Sequence, residues 1–226
     1  MVRLDHNSSS HAWRFIAEPI LNQNGEVTAM EVLTRFATPG TTQSILTGMT
    51  REQKKVLLTE QLIHIKKIRC FFEDKCIQCS VNIDFDMANL LLSEKEIRDI
   101  VSSCPFIRLE ISEDFPDLSF GFKNPLLKKL YELCPLWLDD FGSGLTNFKS
   151  LHNGLYEKVK IDKCFFWANY CQPEMNVLIK KIRTYSPGIV IEGIEKESHL
   201  EIFTDDDILY QGYLFKHINL SMIKIN

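Results

Sequence analysis

Asp139 and Asp140 are adjacent carboxylates at the end of the apolar run Pro135-Leu136-Trp137-Leu138, and the glycine-spaced stretch Phe141-Gly142-Ser143-Gly144 follows them. Like charges a few ångströms apart in a low dielectric repel by several kcal/mol unless a cation lies between them. The pair therefore calls for a positive partner, or else serves only to cap a helix starting near Thr146. Other strand-like runs end in the same kind of group: Glu31 with Arg35 beyond it, Asn82, Glu110 with Glu113, Lys160 with Asp162, Glu192 with Glu195, and Gln211. Carboxylates with one amide oxygen, and no Cys or His among them, favour a hard cation, Mg2+ or Mn2+, over zinc. Adjacent aspartates suit the bridging of two such ions.

These groups can act together only if the elements carrying them converge. After a polar leader over residues 1–10, one domain is expected over 11–226. His11 to Leu21 and Glu26 to Phe36 read as an antiparallel pair joined by Asn22-Gln23-Asn24-Gly25, whose Asn-Gly ending is a hairpin signal. Thr50-Arg51-Glu52-Gln53 has capping-box spacing and predicts a helix running to about Phe72, and Ser93 to Glu96 predicts another running to about Ser103. Strands are expected at 76–83, 106–112, 136–138, 156–161, 188–191 and 207–214. Helices are expected at 124–133, 146–151, within 164–184 and at 195–203.

Eight strands with helices between most of them predict a closed α/β barrel. An open sheet would carry a glycine-rich phosphate loop at its switch point, and the chain has none. In a barrel the carboxyl ends of the strands meet at one mouth, which gathers the residues named above.

Several functions are disfavoured by composition. A formal net charge of −4 gives no general reason to bind nucleic acid. No apolar run is long enough to span a bilayer and the leader lacks a signal-peptide core, so a cytoplasmic protein is expected. The seven cysteines do not suggest a disulfide framework. Cys76 and Cys79 have half-motif spacing without a second pair, and the histidines show no ligand spacing.

In order along the chain, Glu31-Val32-Leu33-Thr34-Arg35, Ser80-Val81-Asn82-Ile83, Glu110-Ile111-Ser112-Glu113, Leu138-Asp139-Asp140-Phe141-Gly142-Ser143-Gly144, Val159-Lys160-Ile161-Asp162, Ile191-Glu192-Gly193-Ile194-Glu195 and Gln211-Gly212-Tyr213 resemble the motifs of the EAL domain. The resemblance runs from about residue 15 to 216 and implies a modified (β/α)8 TIM-type barrel with its first strand antiparallel. It implies hydrolysis of cyclic di-GMP to pGpG with two Mg2+ or Mn2+ ions, in control of motility or biofilm.

Carried over, the resemblance gives Glu31, Asn82, Glu110 and Asp139 to one metal, and Asp139, Asp140 and Glu192 to the second. Lys160 contacts the attacking water and Glu192 is also counted as catalytic, with Glu113 anchoring the loop after Asp140 and Glu195 and Gln211 supporting the site and orienting the water. Arg35, Leu33 and Asp162 lie against substrate.

The chain differs from the family pattern at Val32, at the short polar segment Ala37 to Thr50, and at Leu145, where an aromatic is usual. It resembles stand-alone EAL proteins of enterobacterial motility control. An alternative function follows from that group: a catalytically silent protein that represses flagellar genes by binding a subunit of the flagellar master transcription regulator. For such a protein the contact surface is expected away from the acidic mouth, on the helices of 50–74 and 118–133.

Overall fold

The computed structural model describes residues 12–144, 148–152, 154–203 and 207–223. Strand β1 (Trp13–Leu21) and strand β2 (Val27–Phe36) form the expected antiparallel hairpin. Asn22 closes it, its side-chain oxygen accepting the backbone N–H groups of Asn24 and Glu26 at 3.0 Å, with Gly25 in the left-handed region at φ 78°.

Five more strands run parallel to β2: β3 (Gln78–Asn82), β4 (Ile107–Ser112), β5 (Leu136–Phe141), β6 (Tyr156–Ile161) and β7 (Gly188–Ile191). β8 (Ile208–Tyr210) then pairs parallel to β7 and antiparallel to β1. Pairing of β1 with both β2 and β8 closes an eight-stranded α/β barrel whose first strand is antiparallel. A two-residue strand, β9 (Ile218–Asn219), adds to the outer run of β1 at Ile16 and Ala17.

The covering helices are α1 (Thr42–Gly48), α2 (Arg51–Lys67), α3 (Arg69–Asp74), α4 (Phe85–Ser93), α5 (Lys95–Ser102), α6 (Pro125–Leu133), α7 (Lys163–Asn169) and α8 (Pro173–Arg183). Thr50 and Gln53 make the capping box that their spacing predicts. Leu57, Leu58, Leu62 and Ile65 then bury one face of α2, and Phe72 of α3 stacks on Phe106 at 4.9 Å between ring centroids.

Four sequence expectations are corrected. The helix expected to run to Phe72 breaks at Ile68 (φ −103°, ψ 21°), a buried residue whose N–H turns back to Ile65, so α3 enters the core on a new axis. Ser93 does not cap a helix: it ends α4, which Asp84 caps through the Met87 N–H at 2.9 Å, while α5 starts from Glu94 without a side-chain cap. Over 195–203 the described backbone has only a 3-10 turn, Glu197–His199, because Ile194 is held extended by bonds to Gln211 and Leu214. The expected helix at 146–151 appears as a 3-10 turn at Phe148–Ser150, and residues 145–147 lie outside the described part.

Inside the barrel Ile20, Ala29, Trp137, Val190 and Leu209 form an apolar cluster separate from the core under the helices. Side chains on a strand return to the same face every second residue. Two residues beyond Ala29, Trp137, Val190 and Leu209 toward the carboxyl end therefore come Glu31, Asp139, Glu192 and Gln211, and two residues back along antiparallel β1 from Ile20 comes Glu18. The apolar layer is the floor on which the site is built.

Candidate functional site: an acidic barrel mouth around Lys160

Consecutive strand residues point to opposite faces, so Asp139 and Asp140 could not share the mouth in a regular strand. The register between β5 and β6 is broken between Leu138 and Phe141, and Asp140 adopts a left-handed backbone at φ 56°. This irregularity brings both carboxylates to one cavity of about 300 Å3. Glu18, Glu31, Leu33, Arg35, Asn82, Glu192, Glu195 and Gln211 also line it. Glu110 and Lys160 are buried beneath it, at 0 % and 1 % exposure.

Lys160, on β6, occupies the centre of the site. Its ammonium lies 3.0 Å from carboxylate oxygens of Glu31, Glu110 and Asp139 and 2.8 Å from Glu192. Burial pulls the Lys160 pKa down, but the surrounding carboxylates outweigh it and hold the amine well above its usual range. For Glu31 burial is likewise outweighed, here by Lys160 together with bonds donated by Gln211 (2.6 Å) and Asn82, and the carboxyl lies below its ordinary value.

The other acids shift upward. Burial, then the charge of Glu31, raises Glu110 well above the carboxylate range. Burial is also the main cause at Asp139, at Asp140, pushed up to about 6, and at Glu192, pushed up to about 8.

Two groups of ligand atoms each lie within 4.8 Å of one another: Glu31, Glu110 and Asp139, and Asp139, Asp140 and Glu192. Asp139 belongs to both. The donor chemistry suits hard divalent cations, since five carboxylates face one ammonium, and buried oxygens of Glu110 and Gln211 have no hydrogen-bond partner among the described residues.

The remaining expected site residues divide. Glu113 accepts the Gly142 N–H at 3.1 Å and the Ser150 hydroxyl at 3.3 Å, which ties down the loop after Asp140 from outside the cavity. Leu33 and Glu195 line the mouth. Asp162 does not: its carboxylate is engaged in capping α7 through the Phe165 N–H at 3.0 Å. Arg35 lines the mouth but is bonded to Glu18 at 2.8 Å. Leu145 lies outside the described residues.

Sequence reasoning missed Glu18, Lys163 and Trp167 as lining residues. Glu18 had a signal, since the hairpin register sets it directly opposite Glu31. Trp167, on α7, donates its indole N–H to the Gly193 carbonyl at 2.8 Å. Gly193 has φ 78°, and a Cβ there would come 2.6 Å from that of Lys163, so only glycine lets α7 approach so closely.

Residues 3–217 match the family model described as EAL domain. The chain is 28% identical over 215 residues, 91% of either chain, to the Escherichia coli (strain K12) protein named putative anti-FlhC(2)FlhD(4) factor YdiV. The solved structure of the EAL-like domain protein YdiV superposes with a TM-score of 0.84 at 26% identity, covering 92% of this chain and 93% of that one. A standalone versatile EAL protein from Vibrio cholerae O395 in its c-di-GMP bound form shares the fold at TM-score 0.69 and 18% identity, covering 97% and 98%. The expectation of a cyclic di-GMP phosphodiesterase is therefore corrected: the similar curated proteins carry the name of an anti-FlhC(2)FlhD(4) factor, and the solved structure with the higher TM-score is called EAL-like.

Proposed function

The chain belongs to the EAL domain family, and within it we propose that this protein is a flagellar antiactivator, which binds a subunit of the flagellar master transcription regulator and keeps the barrel as a scaffold. The observation that carries this reading is the likeness, along 91% of both chains, to a protein named as an anti-FlhC(2)FlhD(4) factor.

The exposed surface supports it. Of the two helical regions expected to carry a contact, α2 turns most of its apolar residues into the core. The segment from 118 to 133 instead leaves Phe120 (58 %), Phe122 and Tyr131 exposed, with Phe122 and Tyr131 in edge contact at 5.1 Å and Lys123, Lys128 and Lys129 exposed around them. Aromatic anchors in a charged rim are what protein interfaces use. The segment follows β4 and so starts at the mouth end of the barrel, nearer the site than expected.

In this reading Mg2+ or Mn2+ is a bound ion that neutralises the mouth. Glu31, Asn82, Glu110 and Asp139 would hold one, and Asp139, Asp140 and Glu192 a second. Their affinity would appear as stability, without any reaction.

The test is retention of purified FlhC(2)FlhD(4) complex on the immobilised protein. Wild type and Glu31→Ala/Asp139→Asn retain it equally, while Phe120→Ser/Phe122→Ser weakens it by about 2 kcal/mol, the cost of losing an anchor. Wild type that retains none of the complex ends the antiactivator reading.

A further inference from the structure

Arg35 is the one arginine among the described residues lining the mouth, and its guanidinium is the planar donor fork that matches phosphate oxygens. One arm of that fork is already engaged. Its Nη2 donates to Glu18 Oε1 at 2.8 Å, the arginine reaching back along β2 past Leu33 to a carboxylate on the neighbouring strand. Glu18 faces Glu31 across the hairpin, and Lys160 makes its contacts with Glu31, Glu110, Asp139 and Glu192 below. The charge of Glu18 is therefore met by Arg35 instead of the buried amine. A phosphodiester entering the cavity finds its arginine held by a carboxylate, in a cavity that Asp140 and Glu195 also line.

We propose that Glu18 sets the specificity of this mouth against phosphodiester anions, by holding Arg35 and adding its own negative charge at the rim. The inference concerns the cavity alone and stands independently of the partner surface.

The experiment is calorimetric titration of cyclic di-GMP, with inorganic phosphate as a second probe, into the Mn2+-supplemented full chain. Wild type gives no saturable heat with either probe. Glu18→Gln, which keeps the shape and removes the charge, gains cyclic di-GMP affinity on the order of tenfold or more. Adding Arg35→Ala to that variant returns it to wild-type behaviour.

The pair is partly exposed, at 41% and 21% of the two side chains, so the variant keeps its fold, which its melting curve checks. If it does not, Glu18→Ala reads the same quantity. Equal behaviour of wild type and the Glu18 variant, whether both bind or neither does, overturns the proposal. So does a gain that survives Arg35→Ala. Either failure leaves the retention of FlhC(2)FlhD(4) complex untouched, so the two readings fall separately.

Discussion

Trp137 and Asp139 stand two residues apart on β5, the first buried in the barrel floor and the second at the mouth it supports. The indole is fixed from below by its bond to Glu157 at 2.8 Å, and Lys158 lies 4.7 Å over its ring. Water is thus excluded beneath the carboxylates, which strengthens both their mutual repulsion and their attraction to Lys160.

Removing the ammonium should expose that repulsion. Lys160→Met leaves Glu31, Glu110, Asp139 and Glu192 without their common cation and is expected to cost about 3–5 kcal/mol, the scale of breaking a buried ion pair. Urea unfolding in chelator measures it, and millimolar Mn2+ should recover part of the loss, but not when Asp139→Asn/Asp140→Asn is added. A variant as stable as wild type would mean that the ammonium does not hold the ring together.

Stability of the chelated protein should fall as pH rises from about 5 to about 8. Burial, then neighbouring carboxylates, lifts Asp140 from 3.8 to about 6, and burial carries Glu192 from 4.5 to about 8. In that window the folded protein holds protons that the unfolded chain has released, so raising the pH favours unfolding. Lys160, raised above 10.5, contributes fully throughout this range, and Glu31, lowered from 4.5, loses its contribution only at more acidic pH. Melting temperatures across the range decide the matter. A profile rising with pH in chelator contradicts the assignment, whereas Mn2+ should flatten the fall by binding the ionised acids.

The core makes a prediction free of the site. Phe72 is fully buried and stacked on Phe106, with ring planes 12° apart. Phe72→Ala should cost about 3–5 kcal/mol with an unchanged dependence on denaturant. A loss under 1 kcal/mol, about what an Ile→Val trim costs, would mean that the neighbourhood collapses around the deletion.

Much of the barrel was legible because strand and turn signals agreed. Tyr156–Ile161 and Gly188–Ile191 lie where the apolar runs end in glycine or charge, and the Asn-Gly turn fixed the first hairpin. Where two local signals competed, the reading erred. Ser93-x-x-Glu96 imitates a capping box, but Asp84 nine residues earlier already caps a helix whose Met87, Ala88, Leu90 and Leu91 have somewhere to be buried. Which acids gather at the mouth followed from their place at the carboxyl ends of the strands. That Asp140 joins Asp139 depends on a backbone bulge with no local sequence mark, and that Glu18 engages Arg35 depends on the path of a long side chain across the hairpin. The catalytic expectation is corrected by the likeness to proteins named anti-FlhC(2)FlhD(4) factors, because motifs report which ligand residues are present and not what the protein does with them.

Among the described residues the seam between β1 and β8 rests on the single registered pair Leu21 and Tyr210, with β9 adding Ile16–Asn219 and Ala17–Ile218. These contacts join the first strand to the last, so during synthesis β1 waits for nearly the whole sequence to emerge. Loop closure over that distance costs little more than over half of it, because the entropy grows only logarithmically. The delay is kinetic: contacts of such high sequence separation form late. Until then a nascent chain carries a curled open sheet with two unpaired edges, the form most exposed to edge-to-edge association and the one that a chaperone would meet.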